Sequence, residues 1–425
     1  MLRKLILRQK FEKENFLYST FIEREKLKAA KKWIDTSMIK VIVGPRRAGK
    51  SVFAFMLLKE HPFMYLNFDD EGFLSMSKID TNEILKELHL AYGDVKTIFF
   101  DEIQNLENWQ LFVNRLQREG YNLVITGSNA NLLSTELSTA LTGRHIPIEI
   151  MPFNFKEFLR AKKISMDEYT ELPQKQAETL RLIDEFIIKG GYPEVVINEF
   201  DYKEYLRILF DSILLKDIVK RYNLRHSVDL IKLSSYLINN FSSLFTARKL
   251  RNSLSFKSIT TVEKFISYIQ EAYLIFTLFG YSFKSKERLR SPRKVYIVDN
   301  GFIEAKSVRI SNDTGKLMEN LVFTELIKEG LSPNQELFYY KTRNRREVDF
   351  IVKNGIKVKK IIQVSLWNDD EKLKERELKA IFEASEELSC DELIIITGDF
   401  EGELEYKKKV IKLIPLSKWL FNEKV

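Results

Sequence analysis

The sequence predicts an α/β protein whose N-terminal part is built on a parallel sheet, and three features predict it. MIKVIVG, FMYLNFDD, TIFFDEI and NLVITGSN read as short strands, separated by the helical stretches SVFAFMLLKEH, TNEILKELHLAYG and NWQLFVNRLQREG. The strand runs are apolar throughout rather than alternating, as expected of strands buried on both faces and joined by right-handed helical crossovers. Between the first strand and the first helix lies a glycine-bounded loop, Gly44 to Ser51.

Composition narrows the class. Of 425 residues, 44% are hydrophobic and 30% charged, the balance of an ordinary globular chain with material for several cores. Lys and Arg number 68 against 60 Asp and Glu, a net charge of +8 that permits contact with phosphates without requiring it. The one cysteine, Cys390, rules out a disulfide within the chain. The four histidines, His61, His89, His145 and His226, show no metal-ligand spacing. Charges interrupt MLRKLILRQKFEKENF too early for a signal-peptide core, and no apolar run approaches a membrane span. The expectation is a soluble, cytoplasmic protein with no membrane partner.

The loop Gly44-Pro45-Arg46-Arg47-Ala48-Gly49-Lys50-Ser51 fits G-x-x-x-x-G-K-S, after a buried strand and at the start of a helix. Glycines let the backbone curl until its N–H groups surround a phosphate at the helix N-terminus. Lys50 then reaches the β- and γ-phosphate oxygens of ATP, and the Ser51 hydroxyl is a ligand for Mg2+. Some fifty residues on, an apolar strand ends in Asp101-Glu102. Ligands of open α/β sheets sit at the carboxyl ends of strands, so Asp101 is expected to hold the magnesium through water and Glu102 to polarise the attacking water. Ser128 and Asn129 end the next strand, where one of them could orient that water or contact the γ-phosphate; Gly-Ser-Asn also makes a simple turn. Arg144 follows in a loop and is a candidate second cation for the transition state, in cis or from a neighbouring chain.

GPRRAGKS, FFDEIQN, ITGSNANLLS, LTGRHIPIEIMPFNFKEFL and GGYPEVV together resemble the archaeal and bacterial AAA+ ATPases whose C-terminal region is a domain of unknown function. The resemblance spans nearly the whole chain. It implies an AAA+ core with a helical lid, Asn129 or Ser128 as first sensor, and Arg144 as arginine finger. No second sensor arginine stands out in the lid.

The expected domains are a P-loop core over 1–154, a helical lid over 155–225, a winged helix over 226–305 and a last domain over 306–425. The lid pattern breaks at Gly190-Gly191-Tyr192-Pro193. In the third segment three helices, one of them Leu244–Leu250 and another Ile259–Ala272, precede two strands, LIFTLFGYSF and KVYIVD. The basic connector from Lys284 to Lys294 completes the outline of a winged helix that would contact duplex DNA, although such connectors are usually solvated hairpin tips. The last segment reads as helix, hairpin, strand, helix, strand and a short closing helix. It looks like the restriction-endonuclease-like fold, with Glu319, Asp349 and Gln363 in the places of that fold's metal-binding residues. Gln363 and Ser365 stand where a Glu-x-Lys pair is expected, which weakens the metal site and removes the activating lysine, so the domain is expected to be an inactive remnant used for binding or packing. Lys357, Lys359 and Lys360 are nearby substitutes. Lys341, Arg343, Arg345 and Arg346 make the hairpin tip cationic. The expected function is MgATP hydrolysis coupled to this DNA-binding, nuclease-like module, with a homo-oligomer or a partner protein as further associations. The alternatives are a slow ATP-dependent switch acting on a partner protein, and an ATP-gated metal-dependent nuclease.

Overall fold

The computed structural model describes all residues except 75, 77–79, 129–142, 165–172, 226, 283, 285–286, 289–290, 309–312, 367–370 and 422–425, and, for side chains, 74, 173–176 and 371–373. Two compact units divide the chain: Met1–Phe153 with Glu271–Tyr273, and Asn154–Gln270 with Leu274–Val425.

The first unit carries β1 (Ile39–Val43), β2 (Met64–Asn67), β3 (Thr97–Asp101), β4 (Asn122–Gly127) and β5 (His145–Glu149). They form one sheet in the order β2-β3-β4-β1-β5, with every pairing parallel. Because side chains alternate across a strand, Val41, Leu66, Phe100 and Ile125 enter one core layer and Ile42, Tyr65, Phe99 and Val124 the other. That double burial explains the unbroken apolar runs. Its helices are α1 (Leu2–Leu17), α2 (Leu27–Lys31), α3 (Lys50–Leu58), α4 (Glu71–Leu74), α5 (Thr81–Tyr92) and α6 (Trp109–Arg118).

The sequence reading omits α1 and β5. Helix α1 buries Leu2, Leu5, Ile6 and Gln9 and leaves its charged face in water. Gln9 packs against the open edge of the sheet. Its Oε1 accepts the Asn67 N–H at 2.8 Å and its Nε2 donates to the Asn67 carbonyl at 3.1 Å, so the edge strand β2 does not present unpaired groups there. Strand β5 was hidden by Pro147, a residue tolerated here because β5 is the other edge of the sheet.

The second unit begins with α7 (Phe155–Ala161), α8 (Pro173–Lys189), α9 (Pro193–Ile197) and α10 (Tyr202–Ser212), the last running into a π-helical stretch, Ile213–Lys220. Then come α11 (Ser227–Asn239), β6 (Ser243–Phe245), α12 (Ala247–Ser253), α13 (Ile259–Glu271), β7 (Ile275–Phe279) and β8 (Arg293–Ile297). The three strands form an antiparallel sheet, β6-β8-β7. The expected helix over Leu244–Leu250 is thereby corrected. Leu244 and Phe245 pair with Lys294 and Arg293, and the helix starts only at Ala247, capped by the Thr246 hydroxyl accepting from Lys249 N at 3.2 Å.

The chain ends with α14 (Asn300–Lys306), α15 (Thr314–Lys328), β9 (Leu337–Lys341), β10 (Glu347–Asn354), β11 (Lys357–Val364), α16 (Glu371–Leu388), β12 (Leu393–Thr397), β13 (Gly402–Tyr406), β14 (Lys409–Pro415) and α17 (Leu416–Phe421). Its mixed sheet has the order β13-β14-β12-β11-β10-β9, parallel only where β12 meets β11 and β14. The β13–β14 hairpin is a further addition to the sequence reading. Its alternating, half-exposed pattern lacks the long apolar run that marks β12. Among the described residues no helix is long and apolar enough to cross a membrane.

Candidate functional site

The loop between β1 and α3 turns on backbone conformations that most residues avoid. Gly44, Arg47 and Gly49 have φ of 143°, 66° and 91°. A Cβ on Gly44 would lie 2.0 Å from the Ile150 carbonyl oxygen, so only glycine fits where the loop passes the end of β5. Ala48 and Lys50 are buried, and the Lys50 ammonium donates to the Pro45 carbonyl at 3.0 Å, folding its side chain back over the loop. Arg24, ahead of the sheet, donates from one guanidinium nitrogen to the Ala48 carbonyl at 3.0 Å and from another to Met151 O at 2.6 Å. It fastens the loop to the chain beyond β5.

Sheet order brings the acids to this loop. β4 lies between β1 and β3, and the carboxyl ends of all three open on one edge. Ser51 Oγ donates to Asp101 Oδ1 at 2.9 Å, so the first turn of α3 and the end of β3 meet directly. Thr126, in β4, links the two neighbouring acids. Its hydroxyl donates to Asp101 Oδ1 and accepts the Glu102 N–H at 2.9 Å. The Tyr65 hydroxyl approaches Asp101 Oδ2 at 3.4 Å. Glu102 has a φ of 50°, and its carboxylate accepts from the Gln104 amide. Burial pushes the Asp101 carboxyl up to about 6, and the Glu102 charge adds to this; Thr126, Ser51 and Lys50 pull the other way. The Lys50 charge and the two hydroxyl donors therefore do not fully offset its burial. The Ser128 hydroxyl, at the end of β4, is also buried, with no hydrogen-bond partner among the described residues.

Thr126, Tyr65 and Arg24 escape the sequence reading. Thr126 sits inside NLVITGSN, two residues before the polar end on which that reading concentrated; Tyr65 looks like core, and nothing local marks Arg24. Asn129 lies outside the described residues. Arg144 is far from the loop: its carbonyl accepts from Ile39 N at 3.0 Å, and His145 pairs with Ile39, at the opposite end of β1 from Val43. At about 3.3 Å per strand residue, roughly 13 Å of strand separates them. Its side chain is exposed and reaches Gln117 Oε1 at 3.4 Å.

In the second unit Glu319, Asp349 and Gln363 do come together, and all three are buried. Gln363 Oε1 accepts the Asp349 N–H at 3.1 Å. The lysine beside them is not Lys357, Lys359 or Lys360. The first two are exposed and Lys360 pairs with Glu392 at 3.3 Å. Lys294, from β8, is the lysine beside them, 2.9 Å from both Glu319 and Asp349. The hairpin tip is also less cationic than its sequence: Arg346 pairs with Glu383 and Lys341 with Glu347 (3.8 Å), leaving Arg343 and Arg345 exposed.

A parallel sheet in this order, with a glycine loop closing on Ser51 and Asp101, defines a P-loop protein, and a family model described as an AAA domain matches residues 36–159. Two domains of unknown function, DUF8612 and DUF4143, match residues 180–313 and 314–419. An uncharacterized protein of Methanocaldococcus jannaschii is 38% identical over 398 residues, covering 90% of this chain and 88% of its own. One of Haemophilus influenzae is 33% identical over 337 residues, covering 76% and 81%. The chain belongs to the same family as these two proteins. Among solved structures, a Walker-type ATPase of Pyrococcus abyssi aligns over 67% of this chain and 95% of its own, at 16% identity and a TM-score of 0.44. The Aeropyrum pernix ORC1 protein, solved in complex with DNA, aligns over 74% and 96%, at 12% identity and a TM-score of 0.34. Neither likeness bears on function.

Proposed function

We propose that this chain binds ATP with Mg2+ and hydrolyses it at the edge formed by β1, β3 and β4. The observation that carries the reading is the 2.9 Å bond from Ser51 to Asp101, which joins the loop to the acid strand. Backbone N–H groups of residues 44–49 and the Lys50 ammonium bind the phosphates, with Arg46 and Arg47 at the mouth. Ser51 and Asp101 are the ligands for Mg2+, which would supply the charge that offsets the phosphate oxygens. Glu102, held by Gln104 and Thr126, orients the attacking water, and Ser128, whose buried hydroxyl has no partner among the described residues, or Asn129 serves as sensor. Lys50→Ala is expected to weaken ATP binding at least tenfold. Glu102→Gln is expected to bind ATP normally and lose 100-fold or more in turnover, roughly the scale of a missing general base. Normal turnover by Glu102→Gln would remove that residue from the mechanism.

The position of Arg144 favours a second element of the reading. A finger at the far end of the sheet serves a neighbouring copy's nucleotide rather than its own, so an isolated chain would turn over slowly and act as a switch until it meets its partner. Duplex DNA is the proposed ligand of the second unit. The helix, strand, helix, helix, strand, strand order of 227–297 matches a winged helix, and Arg248, Lys249 and Lys264 are exposed on α12 and α13. ATP turnover measured with and without duplex, across a salt series, tests this: stimulation should fade as salt rises. Stimulation by a protein partner alone would favour the switch.

A further inference from the structure

The nuclease-like fold reading implies a divalent metal between Glu319 and Asp349. The residues present do not fit one. Lys294 is 2% exposed at its side chain, and its ammonium lies 2.9 Å from Glu319 Oε1, 2.8 Å from Glu347 Oε1 and 2.9 Å from Asp349 Oδ1. An ammonium has three N–H donors, so three carboxylates saturate it. Two of the remaining oxygens have other work, and Glu319 Oε1 is shared. Asp349 Oδ2 accepts the Val364 N–H at 3.0 Å, Glu319 Oε1 also accepts the Tyr296 hydroxyl at 2.6 Å, and Glu347 Oε2 faces Lys341 at 3.8 Å. Mg2+ needs about six oxygens at roughly 2.0–2.1 Å and retains several waters. The ammonium stands where that cluster would go. Among the described residues no group of three or more His, Cys, Asp or Glu is arranged to hold a metal ion.

The charges agree with the geometry. Burial alone would lower the Lys294 pKa, but Asp349, Glu319, Tyr296 and Glu347 together hold it well above its ordinary value. Burial and Asp349 push the Glu319 carboxyl up, and Lys294 pulls it back. Each charge in the buried cluster is held there by its partners of opposite sign, and removing one leaves uncompensated charge.

We propose that the Lys294 ammonium is a built-in cation that replaces the divalent metal of this carboxylate centre, so that the second unit binds no metal there and cuts no nucleic acid. The lysine comes from β8 of the small antiparallel sheet, while Glu319 lies on α15 and Glu347 and Asp349 on β10. The same contact therefore ties three separate elements together. This holds whether or not the first unit hydrolyses ATP.

The test uses full-length, nucleotide-free protein carrying Asp101→Asn, which silences the cation ligand of the first unit. Mn2+ binding is followed by electron paramagnetic resonance and stability by thermal unfolding, with chelator or Mn2+. The chain with Lys294 intact is expected to bind no stoichiometric Mn2+ and to keep its Tm in both conditions. Lys294→Ala is expected to lose roughly 10 °C in chelator, the scale of a broken buried ion cluster, and to recover part of it with Mn2+. The variant combining Lys294→Met, Glu319→Gln and Asp349→Asn should regain most of the loss without responding to Mn2+, and it decides the matter if Lys294→Ala does not fold. Three results overturn the proposal: one Mn2+ bound with Lys294 intact and released by Asp349→Asn; Mn2+-dependent plasmid nicking by the Lys294 protein; or a folded Lys294→Ala indifferent to Mn2+.

Discussion

Asp101 is a carboxylate approached by three hydroxyls, from Ser51, Thr126 and Tyr65, each delivered by a different element. Thr126 is the member whose loss is easiest to interpret, because it serves Asp101 as donor and the Glu102 N–H as acceptor. Thr126→Val keeps the shape and removes both bonds. It should cost about 1–3 kcal/mol, the range for a buried group left unpaired, and should lower turnover by misplacing Glu102. Thr126→Ser keeps the hydroxyl and should restore turnover toward wild type; urea unfolding and an ATPase assay read the pair. Gly44→Ala tests the loop itself. With φ at 143° and a Cβ 2.0 Å from Ile150 O, the loop must shift, and ATP binding measured by titration calorimetry should be lost. The turn at Gly44 and the approach of Ser51 to Asp101 were legible from the sequence. Thr126, Tyr65 and Arg24 were not, because their partners lie 24 or more residues away.

Between elements, the Gly190-Gly191 turn after α8 shows how a motif that reads as a simple break serves packing. Gly191 N donates to Asp299 Oδ2 at 2.7 Å and Gly301 N to Oδ1 at 2.9 Å, so one carboxylate joins the α8–α9 turn to the start of α14. Gly190 has a φ of 75°, and a Cβ there would sit 1.7 Å from Asp299 Oδ1. Gly190→Ala should destabilise the second unit by roughly 3 kcal/mol or more, from left-handed strain together with overpacking. The same carboxylate makes a pH prediction. Burial raises Asp299 from 3.8 to about 6, with Lys328 and the two backbone donors opposing it. As pH rises the unfolded chain releases this proton first, so wild type loses stability from this group between about pH 4 and 6 and no further above. Asp299→Asn has no such proton. Its amide also opposes one N–H, so it is the less stable protein at low pH, but the gap should narrow by up to about 3 kcal/mol between pH 4 and 6.5. Denaturant midpoints of both proteins across that range measure it; a constant gap would sink the idea.

At the scale of the whole molecule, the parallel register of β1 and β5 puts Arg144 and the phosphate loop at opposite ends of one sheet. If Arg144 completes a neighbour's site, two inactive variants should rescue each other. Lys50→Ala supplies an intact Arg144, and Arg144→Ala supplies an intact loop. Mixing them should yield turnover above the sum of the two alone, rising with protein concentration. A mixture no better than its parts would mean that Arg144 serves no second copy.

The edge formed by β1, β3 and β4 was readable in one dimension because its residues lie in contiguous strings: a glycine-bounded loop, and acids at the end of an apolar strand. Periodicity likewise fixed the long buried strands and the main helices, since each is set by its own residues facing in and out. Contacts between distant segments could not be read this way. Gln9 at the edge of β2, β6 in place of a helix at Leu244, and Lys294 among Glu319, Glu347 and Asp349 each depend on which segments meet. A lysine 25 residues before Glu319 and 55 before Asp349 looks like part of a basic connector; only folding, which buries it among three carboxylates, makes it the cation of that centre.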